Sequence, residues 1–171
     1  MQRRALDLPG THGATLSGHT LGGWTERGPN GMQWDFAVPG VPVSLSTRNT
    51  AKKHAWTERV RQHATTAFSG PDFPLLGDLA VSVTYFHEDP PLDVDNMLKP
   101  ILDGLWPQVI ADDNQVRDVS GSRRDLTKPL TFRNPSPALA QALSWNGPFV
   151  YIVMGAPIDE EEIPWIGIPG S

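Results

Sequence analysis

The sequence predicts an α+β fold, a single compact domain in which a mixed β-sheet carries two principal helices, and three observations lead there. Leu79-Ala80-Val81-Ser82-Val83-Thr84-Tyr85-Phe86 places apolar residues at alternate positions, the period of a half-buried strand. Two other stretches, near residues 50–67 and 97–105, place them at helical spacing. A chain of 171 residues is long enough for one domain with a substantial core.

The elements follow in order. Residues 1–31 are rich in Gly and Thr with little apolar periodicity, so they read as a flexible or loosely packed N-terminal extension. The folded domain is expected over residues 32–157, and order should begin near Trp34. Trp34-Asp35-Phe36-Ala37-Val38 alternates, and after a turn at Pro39-Gly40 the residues Val41, Val43 and Leu45 resume the period of two, which suggests an early strand or hairpin. A helix from about Thr50 to Ala67 carries Ala55, Trp56, Val60, His63 and Ala67 at helical spacing, with Trp56 as a core anchor. The next strand shows Leu79, Val81, Val83 and Tyr85 on one face and stops at Pro90-Pro91. Met97, Ile101, Leu102 and Leu105 then form an apolar helical stripe, with Asp95 as the residue suited to cap its start. Pro100 removes a hydrogen bond there, so a bend or a later start is expected. Gln115 to Leu126 alternates in part and carries Arg117, Arg123 and Arg124, which reads equally as a strand bearing basic residues toward a polyanion or as local ion pairing to Asp118 or Asp125. Ser136-Pro137 has the residues of an N-cap and first helical position, predicting a short helix to Leu143. Phe149 to Met154 reads as a buried strand, and residues 158–171 as an acidic, Pro/Gly-rich tail.

Composition narrows the chemistry. There is no cysteine, and the five histidines (His12, His19, His54, His63, His87) show no paired ligand spacing, so a zinc site is not expected. Met1-Gln2-Arg3-Arg4 is basic, but Ala5 to Gly10 supplies no apolar segment behind it, and no stretch approaches bilayer-spanning length. The expectation is a soluble cytoplasmic protein without a membrane partner. Net charge is −5. That balance hides an asymmetry: Arg48, Lys52, Lys53, Arg59 and Arg61 stand against Glu58 between residues 46 and 68, while residues 69–125 are acidic. The basic run is either an ordinary solvated helix face or an electrostatic contact for a polyanion.

The most informative text is Asp93-Val94-Asp95-Asn96-Met97-Leu98-Lys99, followed by Asp112-Asp113-Asn114-Gln115-Val116. In an extended segment alternate side chains share a face, so Asp93 and Asp95 can hold a hard cation between their oxygens. Lys99, one helical turn beyond Asp95, would set an ammonium beside them, where a phosphate or developing negative charge would lie. All-oxygen ligands favour Mg²⁺, with Mn²⁺ as a substitute. Taken singly, Asp95 is equally a helix cap and Asp112-Asp113-Asn114 equally a turn. Their conjunction is what points to phosphodiester chemistry.

At these residues the sequence resembles the RusA family of crossover junction endodeoxyribonucleases, the Holliday junction resolvases. The matching text runs from Leu92 to Leu105 and from Ile110 to Val116, and a weaker likeness covers Gly40 to Val60. The resemblance implies a RusA-like nuclease domain over residues 32–157, in which Asp93, Asp95 and Asp113 ligate the metal and Lys99 assists at the phosphate. Asp112 is implied as a supporting residue or further ligand, and Asp103 and Asn96 as supporting residues. Arg48, Lys52, Lys53, Arg59, Arg123 and Arg124 are the candidate DNA contacts. The function expected is Mg²⁺-dependent, structure-selective cleavage of four-way DNA junctions by paired nicks, by a homodimer, in recombination and repair. The alternatives are a nuclease for flaps or forks, and a DNA-binding or phage-interaction module with little or no catalysis. A sugar transferase using Asp-x-Asp lacks a recognisable Gly-rich nucleotide-binding turn.

Overall fold

The computed structural model describes residues 23–26, 32–68, 70, 73–88 and 92–157. Strands β1 (Gly23–Glu26) and β2 (Met32–Pro39) precede helix α1 (Thr50–Ala67). Strand β3 (Leu79–His87), helix α2 (Val94–Leu105) and strand β4 (Val116–Asp125) follow, then helix α3 (Pro137–Leu143) and strand β5 (Phe149–Gly155). The sheet order is β1-β2-β5-β3-β4, antiparallel throughout except for the parallel pair β3/β4. The expected mixed sheet with two principal helices is present, with α3 as a short third helix. Among the described residues no helix is long and apolar enough to cross a membrane.

Alternation along the strands separates two cores. Phe36 and Val38 of β2, Val81, Val83 and Tyr85 of β3, and Val150, Ile152 and Met154 of β5 face α1 and α2. Those helices answer with Trp56, Val60 and Ala64, and with Met97, Ile101 and Leu105. On the opposite face Ala37, Phe86 and Phe149 pack with Ala142 of α3. Ser136 caps α3 by accepting from the Leu139 N–H at 3.1 Å, with Pro137 at its first turn.

Three expectations change. The segment over residues 1–31 contributes β1 to the sheet; its other residues, and the tail at 158–171, lie outside the described residues. Residues 41–45 form no strand. The chain turns at Gly40 (φ +109°), whose N–H donates to Pro148 O at 2.8 Å, and the pairing of β2 with β5 ends there. The third change concerns Pro100, which lies inside α2 without delaying its start. Its missing N–H leaves the carbonyl of Asn96 without a helical donor, and Leu45 N–H fills that place at 2.7 Å. The proline thus frees the group that ties the 41–45 loop to α2.

The unit β3–α2–β4 positions the site. Parallel neighbours need a crossover, and α2 supplies it, returning antiparallel along the edge strand β4. Gly121 of β4 permits the close approach: a Cβ there would lie 2.3 Å from Val94 Cγ1 and 3.4 Å from Leu98 Cδ2.

Candidate active site

Helix α2 begins two residues earlier than a cap at Asp95 would place it. Asp93 is the N-cap, with extended backbone (φ −63°, ψ 136°), and Asp95 sits in the first turn. Burial decides this, because Val94 and Leu98 can pack against β4 together only if both are helical. The shared-face geometry of an extended Asp-x-Asp therefore does not apply across this junction. Both carboxylates still occupy the amino end of a helix, where the peptide dipoles favour negative charge.

Asp95, Lys99 and Asp103 recur every four residues along one face of α2. Lys99 Nζ donates to Asp103 Oδ1 at 2.8 Å and lies 3.9 Å from Asp113 Oδ2. The hydrogen bond to Asp103, with the charges of Asp103 and Asp113, raises the Lys99 pKa against a smaller opposing effect of burial. Lys99 is therefore an ammonium at neutral pH, suited to meet an anion rather than to accept a proton.

Asp113 opens a 3-10 turn, Asp113–Gln115, that is built as a clamp. Asp112 Oδ1 accepts from Asn114 N–H at 2.8 Å. Gln115 Oε1 accepts from the N–H groups of Ala111 and Asp112, both at 2.8 Å. Its Nε2 donates to Leu75 O at 2.9 Å and to Gly77 O at 2.8 Å. One amide thus fastens the Asp112-Asp113 turn to the chain entering β3. In Gln115→Glu the acceptor is kept but both donors are lost, so stability should fall by about 1–2 kcal/mol. Urea unfolding checks this, and an unchanged midpoint and slope would remove the clamp from the account.

Lys99, Asp103, Asp112 and Asp113 line a cleft of about 690 Å³ together with Thr57 and Arg61 of α1, Trp106, and Val116 and Val119 of β4. Asp93, Asp95 and Asn96 stand outside that lining, toward the amino end of α2, and the Asn96 carbonyl is taken up by Leu45 N–H. Arg123 NH1 donates to Leu92 O at 3.4 Å, which sets it beside Asp93. Of the three expected ligands, Asp113 is the one whose carboxylate lies within 4 Å of Lys99 Nζ. Among the described residues, no group of three or more His, Asp or Glu side chains is gathered in a way that could hold a metal ion.

The other basic residues divide by partner. Lys53 Nζ donates to Leu45 O at 2.9 Å, and Arg59 NH1 to Pro39 O at 3.4 Å, so both buttress the 39–45 loop. Arg124 donates to Arg123 O at 2.8 Å, and Arg117 pairs with Asp78 at 3.3 Å. Arg48 and Lys52 are exposed at the start of α1.

The family model for endodeoxyribonuclease RusA matches residues 43–131, just over half of the chain. The chain belongs to the RusA endodeoxyribonuclease family. No curated protein matches it. The RusA match spans α1, β3, α2 and β4, the elements that build the cleft, while β1, β2 and β5, which complete the sheet, and α3 lie outside it. Membership makes the chain a nuclease of the junction-resolving kind. Within this RusA cleft, reasoning from the sequence passed over Arg61, Trp106 and Gln115 as site residues. The four-residue step from Thr57 to Arg61 was a usable signal for Arg61, since both fall on the helix face that meets α2. Nothing local marks the reach of Gln115 to Leu75 and Gly77.

Proposed function

We propose that this RusA-family chain is a Mg²⁺-dependent, structure-selective endodeoxyribonuclease that resolves four-way junctions by paired nicks as a cytoplasmic homodimer in recombination and repair. The observation that carries the reading is the Lys99 ammonium beside the carboxylates of Asp103 and Asp113 in an open cleft. Asp103 orients the ammonium, and the ammonium receives a phosphoryl oxygen of the scissile strand. The donor set fits Mg²⁺ in kind: it is all carboxylate, the Asp113 side chain is 72% exposed, and Mg²⁺ commonly takes only one or two protein carboxylates beside substrate phosphate. As the side chains stand, Asp113, with the Asp112 oxygen left over from its cap, would hold the ion beside substrate phosphate, and Asp95 and Asp93 would join only if the amino end of α2 closed toward them. Bound there, Mg²⁺ would neutralise phosphoryl charge and acidify a water.

The basic residues supply affinity without sequence preference. Lys52→Ala combined with Lys53→Ala should weaken binding to all junctions alike and flatten the slope of log K against log salt by roughly 0.9 per lost phosphate contact. An unchanged slope would leave Lys52 on a solvated face and Lys53 solely as the brace of Leu45.

Two nicks in strands related by near two-fold symmetry call for two copies of a chain whose described residues carry one such cleft. Light scattering at micromolar concentration, with and without junction DNA, is expected to report a dimer. A monomer in both conditions that still makes paired nicks refutes it.

The function is tested by incubating the protein with labelled four-way, three-way, flap and linear duplex DNA in Mg²⁺ or EDTA. Paired nicks in the four-way junction, lost in EDTA, are expected. Preference for flaps would reassign the substrate, and binding without cleavage in Mg²⁺ would make the chain a DNA-binding module.

A further inference from the structure

Trp106 is large and 51% exposed, yet it is held at both ends. Its indole Nε1–H donates to Ala111 O at 3.2 Å, and its own carbonyl accepts from Arg61 Nε at 3.3 Å. Arg61 is fixed in turn by Glu58 at 2.6 Å and by Asp103 O at 3.4 Å. An anchored aromatic ring has already lost the freedom that binding would otherwise cost it, so it is a prepared surface. The ring lines the same cleft as Lys99 and Asp113, beside the apolar side chains of Leu102, Ile110 and Val119.

We propose that this end of the cleft is a stacking subsite for one unstacked nucleobase of the DNA substrate, laid on the Trp106 indole with its phosphate toward Lys99. The inference rests on the nuclease reading above and adds a residue to it. Complementarity selects the occupant. A nucleotide joins a flat neutral face to an anion, and this cleft joins a flat apolar wall to the Lys99 ammonium. The carboxylates of Asp112 and Asp113 on the polar side disfavour a second phosphate, which leaves the base for the apolar end. The cleft volume falls in the range that holds compact ligands. Because every base has a π-face, the subsite would tolerate any sequence.

The test is binding to four-way junctions in EDTA, so that cleavage does not intervene, with one abasic position moved stepwise through the crossover. Trp106→Ala should bind the intact junction roughly 5- to 150-fold more weakly, and Trp106→Phe close to the parent. At one abasic position the parent and Trp106→Ala should bind alike. Trp106 belongs to neither core, so its truncation should leave the fold in place; an unchanged melting temperature and the Phe variant control for that. Equal binding of parent and Trp106→Ala to the intact junction overturns the inference, as does a loss that is the same at every abasic position. Loss of self-association in DNA-free Trp106→Ala, with junction affinity intact, would make the face a contact between copies and also overturns it. Junction cleavage without any Trp106 effect removes only this subsite, whereas a parent protein that binds no branched DNA removes the functional reading as well.

Discussion

Asp113→Asn, and separately Asp95→Asn, should abolish cleavage of a four-way junction, a loss of roughly 10³-fold or more, while leaving junction binding intact or tighter. The magnitude is that of losing several kcal/mol of charge stabilisation at the phosphoryl group. The opposite signs have one cause. Removing a carboxylate charge weakens the hold on a cation, and it also removes repulsion of the DNA backbone. Both side chains stand outside the cores, and Asp112, not Asp113, caps the 3-10 turn, so neither amide should disturb the fold. Single-turnover cleavage in Mg²⁺ and gel-shift binding in EDTA separate the two effects. Cleavage near the parental rate in Asp113→Asn would remove that residue from the metal site, and the same result in Asp95→Asn would confine the site to the Asp113 end of the cleft.

Lys99→Ala should lower turnover far more than affinity, by about 2–4 kcal/mol or roughly 30- to 1,000-fold. A single ammonium contributes little to holding a polyanion that many cations contact. It contributes most when charge accumulates on the oxygens it faces. The hydrogen bond to Asp103, with the charges of Asp103 and Asp113, raises the Lys99 pKa. A raised lysine pKa means the charge is retained at and below the ordinary lysine value and lost only above it. Between pH 6 and 9 the Lys99 charge should therefore add no limb to the rate profile. The Lys99 and Asp103 side chains are 51% and 48% exposed, so their ion pair adds little to stability, and the variant should unfold near the parental midpoint. Weakened binding with an unchanged single-turnover rate would make Lys99 a backbone contact.

The sequence by itself determined the elements whose signals are local. The helix Thr50–Ala67 was legible in the helical spacing of Trp56 and Val60, both buried, and the strand Leu79–His87 in its alternation. Ser136-Pro137 starts α3 through a cap three residues long in reach. The stretch that carries the motif was legible as well, and the family match covers it. The tertiary structure decided what meets what. That β4 lies parallel to β3, that α2 runs back along it over Gly121, and that the cap is Asp93 depend on packing between segments far apart in the chain. The same holds for the loop at 41–45, whose alternation reads as a strand but which leaves the sheet after the last β2/β5 pair and is tied to α2 instead. Arg61 and Gln115 entered the site by reaching Asp103 and Leu75, contacts some forty residues distant in sequence. Periodicity records which face of an element is buried, but not which other element buries it, and only that second fact brings Asp113 within 3.9 Å of Lys99.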